Sequence, residues 1–286
     1  MSLINIKTLN HMEEMNKKMY TELLKKTLID YHRTGTEYRP LYSVKAGWKR
    51  RLLRGLDRFL RIKDYAICKI NNSNKETREN GGDWPAYAES MIGLKRMDNI
   101  EFCVNNIITD NIPGDLIEAG VWRGGATIFM KGLLTINNIK NRVVWVADSF
   151  RGLPKPNEKY KIDKESTLHT YEELAIPVDV VRKNFEKYGL LDNGVKFLEG
   201  YFSDTLPKAS IKTLSLIRAD GDMYESTMDI LVNLYPRLSI GGYIIFDDFN
   251  TIEGCKEAVM EYRHTHNINE TIIKIDESGV FWRKNS

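Results

Sequence analysis

Three carboxylates near the end of the chain have the spacing of a metal site. Residues 214–248 read LSLIRADGDMYESTMDILVNLYPRLSIGGYIIFDD. One apolar run closes on Asp220, a helical pattern follows, and a second apolar run closes on Asp247 and Asp248. Asp220 precedes the pair by 27 and 28 residues, close to the ~30 residues of one βαβ unit. Adjacent parallel strands would therefore end at one level, bringing hard oxygen donors to the carboxyl edge of a sheet. That is the chemistry of a Mg²⁺ site. Asp222 either joins the group or caps the helix that follows.

A second constellation is EAGVWRGGAT, residues 118–127. An acid ends a strand, and Gly120, Gly124 and Gly125 then permit a tight turn in which a ligand can approach the backbone. The spacing is not the GxGxxG of a dinucleotide loop. Glu118 would repel a phosphate and would suit a cationic amino group, such as the methionyl end of S-adenosylmethionine. Asp148, in VADSF, closes the next strand 30 residues later, where an acid accepts from a ribose diol; Ser149 follows it. In EGYFSDTLP, residues 199–207, Gly200, Phe202 and Ser203 are placed to line an adenine pocket.

These residues need a sheet to hold them. Strand-like and helix-like runs alternate after residue 110: strands at 115–120, 143–148, 195–200, 214–220 and 243–247, with helices near 124–137, 178–188, 226–235 and 255–264. Thr271–Ile275 and Val280–Lys284 flank an Asp-Glu-Ser-Gly turn and form a terminal hairpin. The pattern predicts an α/β fold: a doubly wound, mostly parallel, seven-stranded sheet with a terminal antiparallel hairpin. Residues 1–80 form a helical N-terminal extension to a domain over 81–286, serving as a lid or an oligomerisation segment. Within it, Lys45–Lys63 holds eight basic residues and one acid, with Trp48, Leu52, Leu56, Phe59 and Leu60 at helical spacing. It reads either as a cover helix or as a contact for a membrane surface or anionic partner.

Composition narrows the class. A chain of 286 residues with 42% hydrophobic content builds a packed core. A net charge of +3, from 42 basic and 39 acidic residues, argues against nucleic acid as a partner. Cys68, Cys103 and Cys255 are sparse and unpaired in pattern, as in a reducing cytoplasm. No apolar run reaches the ~20 residues of a membrane span, and no signal peptide opens the chain.

VWRGGATIFMKGLL, VWVADSFRGLP, RADGDMYESTMDILVNLYPRLSIGGYIIFDD and CKEAVMEYR together resemble the macrocin O-methyltransferase family. GGDWPAYAESMIGLKRMDNI, residues 81–100, is similar to the segment before that family's first strand. The resemblance spans roughly residues 81–264. It implies a Rossmann-like class I methyltransferase that uses Mg²⁺ and S-adenosylmethionine to methylate sugar hydroxyls of antibiotics. By position it assigns Asp220, Asp247 and Asp248 to the metal, Asp220 also to proton removal, and Glu118, Gly120, Asp148, Ser149 and Ser203 to the donor. The chain departs from the family at Glu89, where histidine is common.

The implied reaction is an in-line displacement in which Asp220 takes the hydroxyl proton. His169, within the long Leu153–Pro177 insertion, is the alternative base. The expected partners are a glycosylated small molecule and further copies of the chain. Alternatives are a nucleotide-sugar oxidoreductase, a Mg²⁺-dependent O-methyltransferase acting on a non-sugar vicinal diol or catechol, and a non-catalytic anion-binding protein using the basic helix.

Overall fold

The computed structural model describes residues 3–40 and 48–285, and the side chains of residues 8, 11–38 and 55–285. The chain opens with α1 (Leu3–Leu28), β1 (Gly35–Pro40), α2 (Trp48–Arg61), β2 (Cys68–Ser73), α3 (Lys75–Glu79) and α4 (Gly93–Thr109). The alternating part follows as β3 (Asp115–Ala119), α5 (Gly125–Ile136), β4 (Val144–Asp148), α6 (Val178–Lys187), β5 (Val195–Glu199) and α7 (Phe202–Thr205). It continues with β6 (Leu214–Ala219), α8 (Tyr224–Leu234), β7 (Leu238–Phe246), α9 (Glu253–Thr265), β8 (Ile273–Lys274) and β9 (Val280–Arg283).

The main sheet has seven strands in the order β5-β4-β3-β6-β7-β9-β8. β3 to β7 run parallel, and β9 runs antiparallel to both β7 and β8. Alternate strand residues feed opposite faces, as the pleat requires. Leu116, Val144, Val146, Leu216 and Ile245 pack with α4 and α5, whereas Ile117, Trp145, Ile217, Ile244 and Phe246 pack with α8 and α9. Both faces are covered, which gives the doubly wound architecture expected from the sequence. The strand order reverses between β3 and β6, so the crevice of the sheet opens there.

The N-terminal extension does not stand apart from this core. Leu24, Leu28 and Ile29 belong to the same buried cluster as α4 and α5. Lys25 pairs with Asp98 and Glu101 of α4 at 2.6 and 2.7 Å, and also with Glu22. An antiparallel β1–β2 pair lies within this extension, which the sequence predicted to be helical. Its sequences, GTEYRP and CKINNS, show no apolar alternation because an ion-pair clamp holds them. Arg78 is 1% exposed; it donates to Glu37 at 2.7 Å, to Asp83 at 2.9 Å and to the carbonyls of Ile29 and Asp30. The start of the basic segment, 41–47, lies outside the described residues, as do the side chains of Trp48 and Leu52. Leu56 and Phe59 of α2 are 51% and 63% exposed, so these two do not pack as a cover helix would require. Among the described residues no helix is long and apolar enough to cross a membrane.

Candidate active site

A cavity of about 520 Å³ opens at the switch point. Glu118, Gly120, Asp148, Ser149, Phe202, Ser203, Asp220, Asp247 and Asp248 all line it, although 130 residues separate the first from the last. Gly124 and Gly200 do not line it; they shape the turns that do. Gly124 caps α5 at φ 87°, and the Gly200 N–H donates to the Asp148 carbonyl at 2.9 Å. Gly120 is a steric requirement. Its φ is 93°, and a Cβ there would lie 1.9 Å from the Asp220 carbonyl oxygen, so only glycine lets the ends of β3 and β6 close up.

The donor side is built from two acids with different surroundings. Asp148 accepts from the Val121 N–H at 2.8 Å and the Phe150 N–H at 2.7 Å, which fixes both of its oxygens. Burial raises its pKa, and these backbone donors oppose the rise. Glu118 gives one oxygen to Arg218 at 2.5 Å, while Oε2 is buried without a hydrogen-bond partner. Burial pushes the Glu118 carboxyl up to about 8 despite Arg218. Glu118 lines the cavity and keeps one oxygen that no protein donor satisfies, which leaves it able to accept from a cationic group.

Of the four aspartates at the ends of β6 and β7, three converge. Oxygens of Asp220, Asp222 and Asp248 lie within 4.8 Å of one another. Asp247 does not join them. Its carboxylate is taken by Arg218 and by Arg96, the latter at 2.5 Å. Burial raises the pKa of Asp247, but the two guanidiniums outweigh it and hold the group below the usual carboxylate range. The other three move the opposite way: burial and then neighbouring negative charge push Asp220 to about 6 and Asp222 and Asp248 well above normal. Asp248 Oδ2 is buried without a partner. Three crowded oxygen donors that resist ionisation, one with an orphaned atom, fit a hard divalent cation. Asp222 sits at φ 56°, a backbone strain of the kind that gathers at functional sites.

Beneath these groups runs a buried charge network absent from the sequence reading. Arg218 is 1% exposed and bridges Glu118, Asp220 and Asp247. Arg96 then links Asp247 to Asp276 at 2.7 Å, and Asp276 accepts from the Ser278 and Gly279 N–H groups. The signal was present: Arg218 interrupts an otherwise apolar strand, and a charge there is buried only if paired. Trp84 and Trp122 also line the cavity.

The Leu153–Pro177 insertion is folded over the site. Leu153, Pro154, Leu168 and Leu174 line the cavity, and the Trp122 indole donates to the Glu173 carbonyl at 2.9 Å. His169 is not among the lining residues, and its Nδ1 is buried without a partner. Glu89 also lies off the cavity; it accepts from the Tyr188 hydroxyl at 2.8 Å, while the adjacent Ser90 faces the cavity.

Comparison with known proteins gives the family. The model of the macrocin-O-methyltransferase (TylF) family matches residues 17–284. The chain belongs to the macrocin O-methyltransferase family. It is 51% identical over 212 residues to demethyldecarbamoylnovobiocin O-methyltransferase of Streptomyces niveus, covering 73% of this chain and 81% of that one. It is 48% identical over 216 residues to mycinamicin III 3''-O-methyltransferase of Micromonospora griseorubida, covering 74% and 85%. Among solved structures, the O-methyltransferase NovP superposes with a TM-score of 0.79 at 42% identity, over 94% of this chain and all of that one. As a member of the macrocin O-methyltransferase family, the protein is an S-adenosylmethionine-dependent O-methyltransferase. The oxidoreductase and the non-catalytic readings fall with that membership.

Proposed function

We propose that this enzyme methylates a hydroxyl of a sugar carried by an antibiotic-like natural product, with Mg²⁺ as its metal. The observation that carries the proposal is the convergence of Asp220, Asp222 and Asp248 within 4.8 Å in the same cavity wall as Glu118 and Asp148. Relatives named for methylating a mycinamicin and a tetracenomycin glycoside support the substrate class. The free cysteines fit a cytoplasmic location.

Glu118 Oε2 accepts the donor ammonium, Asp148 the ribose hydroxyls, and Tyr201 to Ser203 border the adenine. Asp220, Asp222 and Asp248 hold the metal. Mg²⁺ held by these three carboxylates would supply Lewis-acid activation of the acceptor hydroxyl. The hydroxyl oxygen attacks the sulfonium methyl carbon, the carbon–sulfur pair returns to sulfur, and S-adenosylhomocysteine leaves. Asp220 accepts the hydroxyl proton and passes it to water. Trp84, Trp122 and the insertion exclude water and hold the acceptor in line, where orientation supplies much of the acceleration. His169, off the cavity wall, is the less direct base.

The test is methyl transfer from labelled donor across a panel of glycosylated and non-glycosylated diols and catechols. Transfer to a sugar hydroxyl, lost with EDTA and restored by Mg²⁺, is the expected result. Activity indifferent to EDTA would reject the metal. Preference for a catechol or non-sugar diol would replace the substrate.

A further inference from the structure

The insertion is tied to the metal side of the site through one buried acid. Asp163 lies in the middle of Leu153–Pro177 and is 3% exposed. Its two oxygens accept from the Tyr224 N–H at 2.9 Å and the Glu225 N–H at 3.2 Å, the first two amides of α8. The α8 N-cap residue, Met223, offers no side-chain bond, so the helix start is capped from outside its own segment. The seat is shaped for that carboxylate. A Cβ on Gly254 of α9 would lie 2.6 Å from Asp163 Oδ1 and 2.9 Å from the Tyr224 nitrogen. Two neighbours reinforce the attachment: Asn157 donates to Glu225 at 3.0 Å, and the Tyr160 and Tyr224 rings lie 5.0 Å apart. Two residues before Tyr224 stands Asp222, at φ 56°.

We propose that Asp163 is a positioning residue for the metal site: by capping α8 it holds the Asp220–Asp222 loop so that the Asp222 carboxylate meets those of Asp220 and Asp248. This rests on the metal reading above. Residues 157–163 are then a fixed strut against α8, and the insertion is held again further along, by the Tyr171 ring 6.0 Å from that of Trp84 and by the Trp122 indole at the Glu173 carbonyl. Aspartate tolerates a left-handed φ better than most residues but still favours the right-handed region, and a cap two residues downstream helps to hold it there.

The experiment titrates Mn²⁺ into the full-length protein by electron paramagnetic resonance and S-adenosylhomocysteine by calorimetry, for wild type, Asp163→Ala and Asp163→Asn. Loss of an outer-shell support of this kind weakens metal binding by about ten- to hundredfold. Asp163→Ala should show that loss while S-adenosylhomocysteine affinity stays at the wild-type value. Asp163→Asn, which keeps one accepting oxygen and the side-chain shape, should fall between, and it carries the test if the alanine variant does not fold. Unchanged Mn²⁺ affinity in the folded variants overturns the proposal. Parallel loss of both affinities does so too, because it marks a general structural role. Wild-type protein that binds no Mn²⁺ removes the metal reading and this proposal with it, an outcome distinguishable from the other two.

Discussion

At the scale of single residues, two carboxylates of the cavity wall, Glu118 and Asp248, each keep a buried oxygen that no protein donor satisfies. Glu118 spends one oxygen on Arg218 and keeps the other free, at the cost of a carboxyl pushed up to about 8. A pKa above that of an ordinary glutamate favours a proton on this carboxyl at neutral pH, and on the proposed reading a cationic donor group would favour the ionised form and expel it. Donor binding at pH 7 should therefore release close to one proton, read from calorimetric enthalpies in buffers of different ionisation heat, and the release should vanish well above pH 8. Glu118→Gln should abolish it and weaken donor binding by about tenfold or more, the worth of one charged hydrogen bond. On the metal side, Asp222→Asn should impair Mg²⁺ binding while leaving donor affinity intact. Asp247→Asn should instead lower stability, because its partners are Arg96 and Arg218. Equal metal affinities in wild type and Asp222→Asn would return Asp222 to a turn.

At the scale of elements, close approach of strand ends matters more than any single ligand. β3 and β6 meet where Gly120 faces Asp220, and the guanidinium of Arg218 spans both strands and reaches β7. Removing it would leave Glu118 and Asp220 buried without their guanidinium and Asp247 with Arg96 alone. Arg218→Met should destabilise the fold by about 3–5 kcal/mol in denaturant titrations, as breaking a buried ion pair does. A loss under ~1 kcal/mol, the range of surface pairs, would show that water reaches the network. The N-terminal helix behaves as an element of the core. Leu24, Leu28 and Ile29 are buried and Lys25 has three acidic partners, so a chain lacking α1 should fail to give soluble folded protein.

At the scale of the whole molecule, the crowded acids make stability depend on pH and on cation. Asp220 has a folded-state pKa of about 6, above its ordinary value of 3.8. The folded state therefore binds more protons than the unfolded chain in that window, and the stability it contributes falls as pH rises through it. Mg²⁺ relieves the repulsion only when the carboxylates are ionised. The rise in melting temperature on adding Mg²⁺ should be larger at pH 8 than at pH 5; an equal rise would place the cation elsewhere. A second prediction comes from the surface. Met12, Met15, Met19 and Leu23 of α1 are 49–63% exposed along one stripe, and Leu56 and Phe59 of α2 are also open. Apolar residues grouped in this way mark an association surface. Light scattering should show a dimer or larger assembly, and a monomer at micromolar concentration would reject it.

The sequence by itself determined the fold class, the strand ends at Glu118, Asp148, Asp220 and Asp247–Asp248, and the family. Period, spacing and motif are local properties, and the register of a βαβ repeat carries them to one edge of the sheet. It could not show the β1–β2 pair, which the Arg78–Glu37 ion pair anchors without an apolar pattern. Tertiary structure alone decided which carboxylates face one another. Asp247 and Asp248 are neighbours in the chain, yet consecutive residues at a strand end point in opposite directions. One is claimed by arginines from α4 and β6, and the other turns to Asp220 and Asp222. The choice depends on two guanidiniums brought in from residues 29 and 151 positions away, and no spacing rule contains that information.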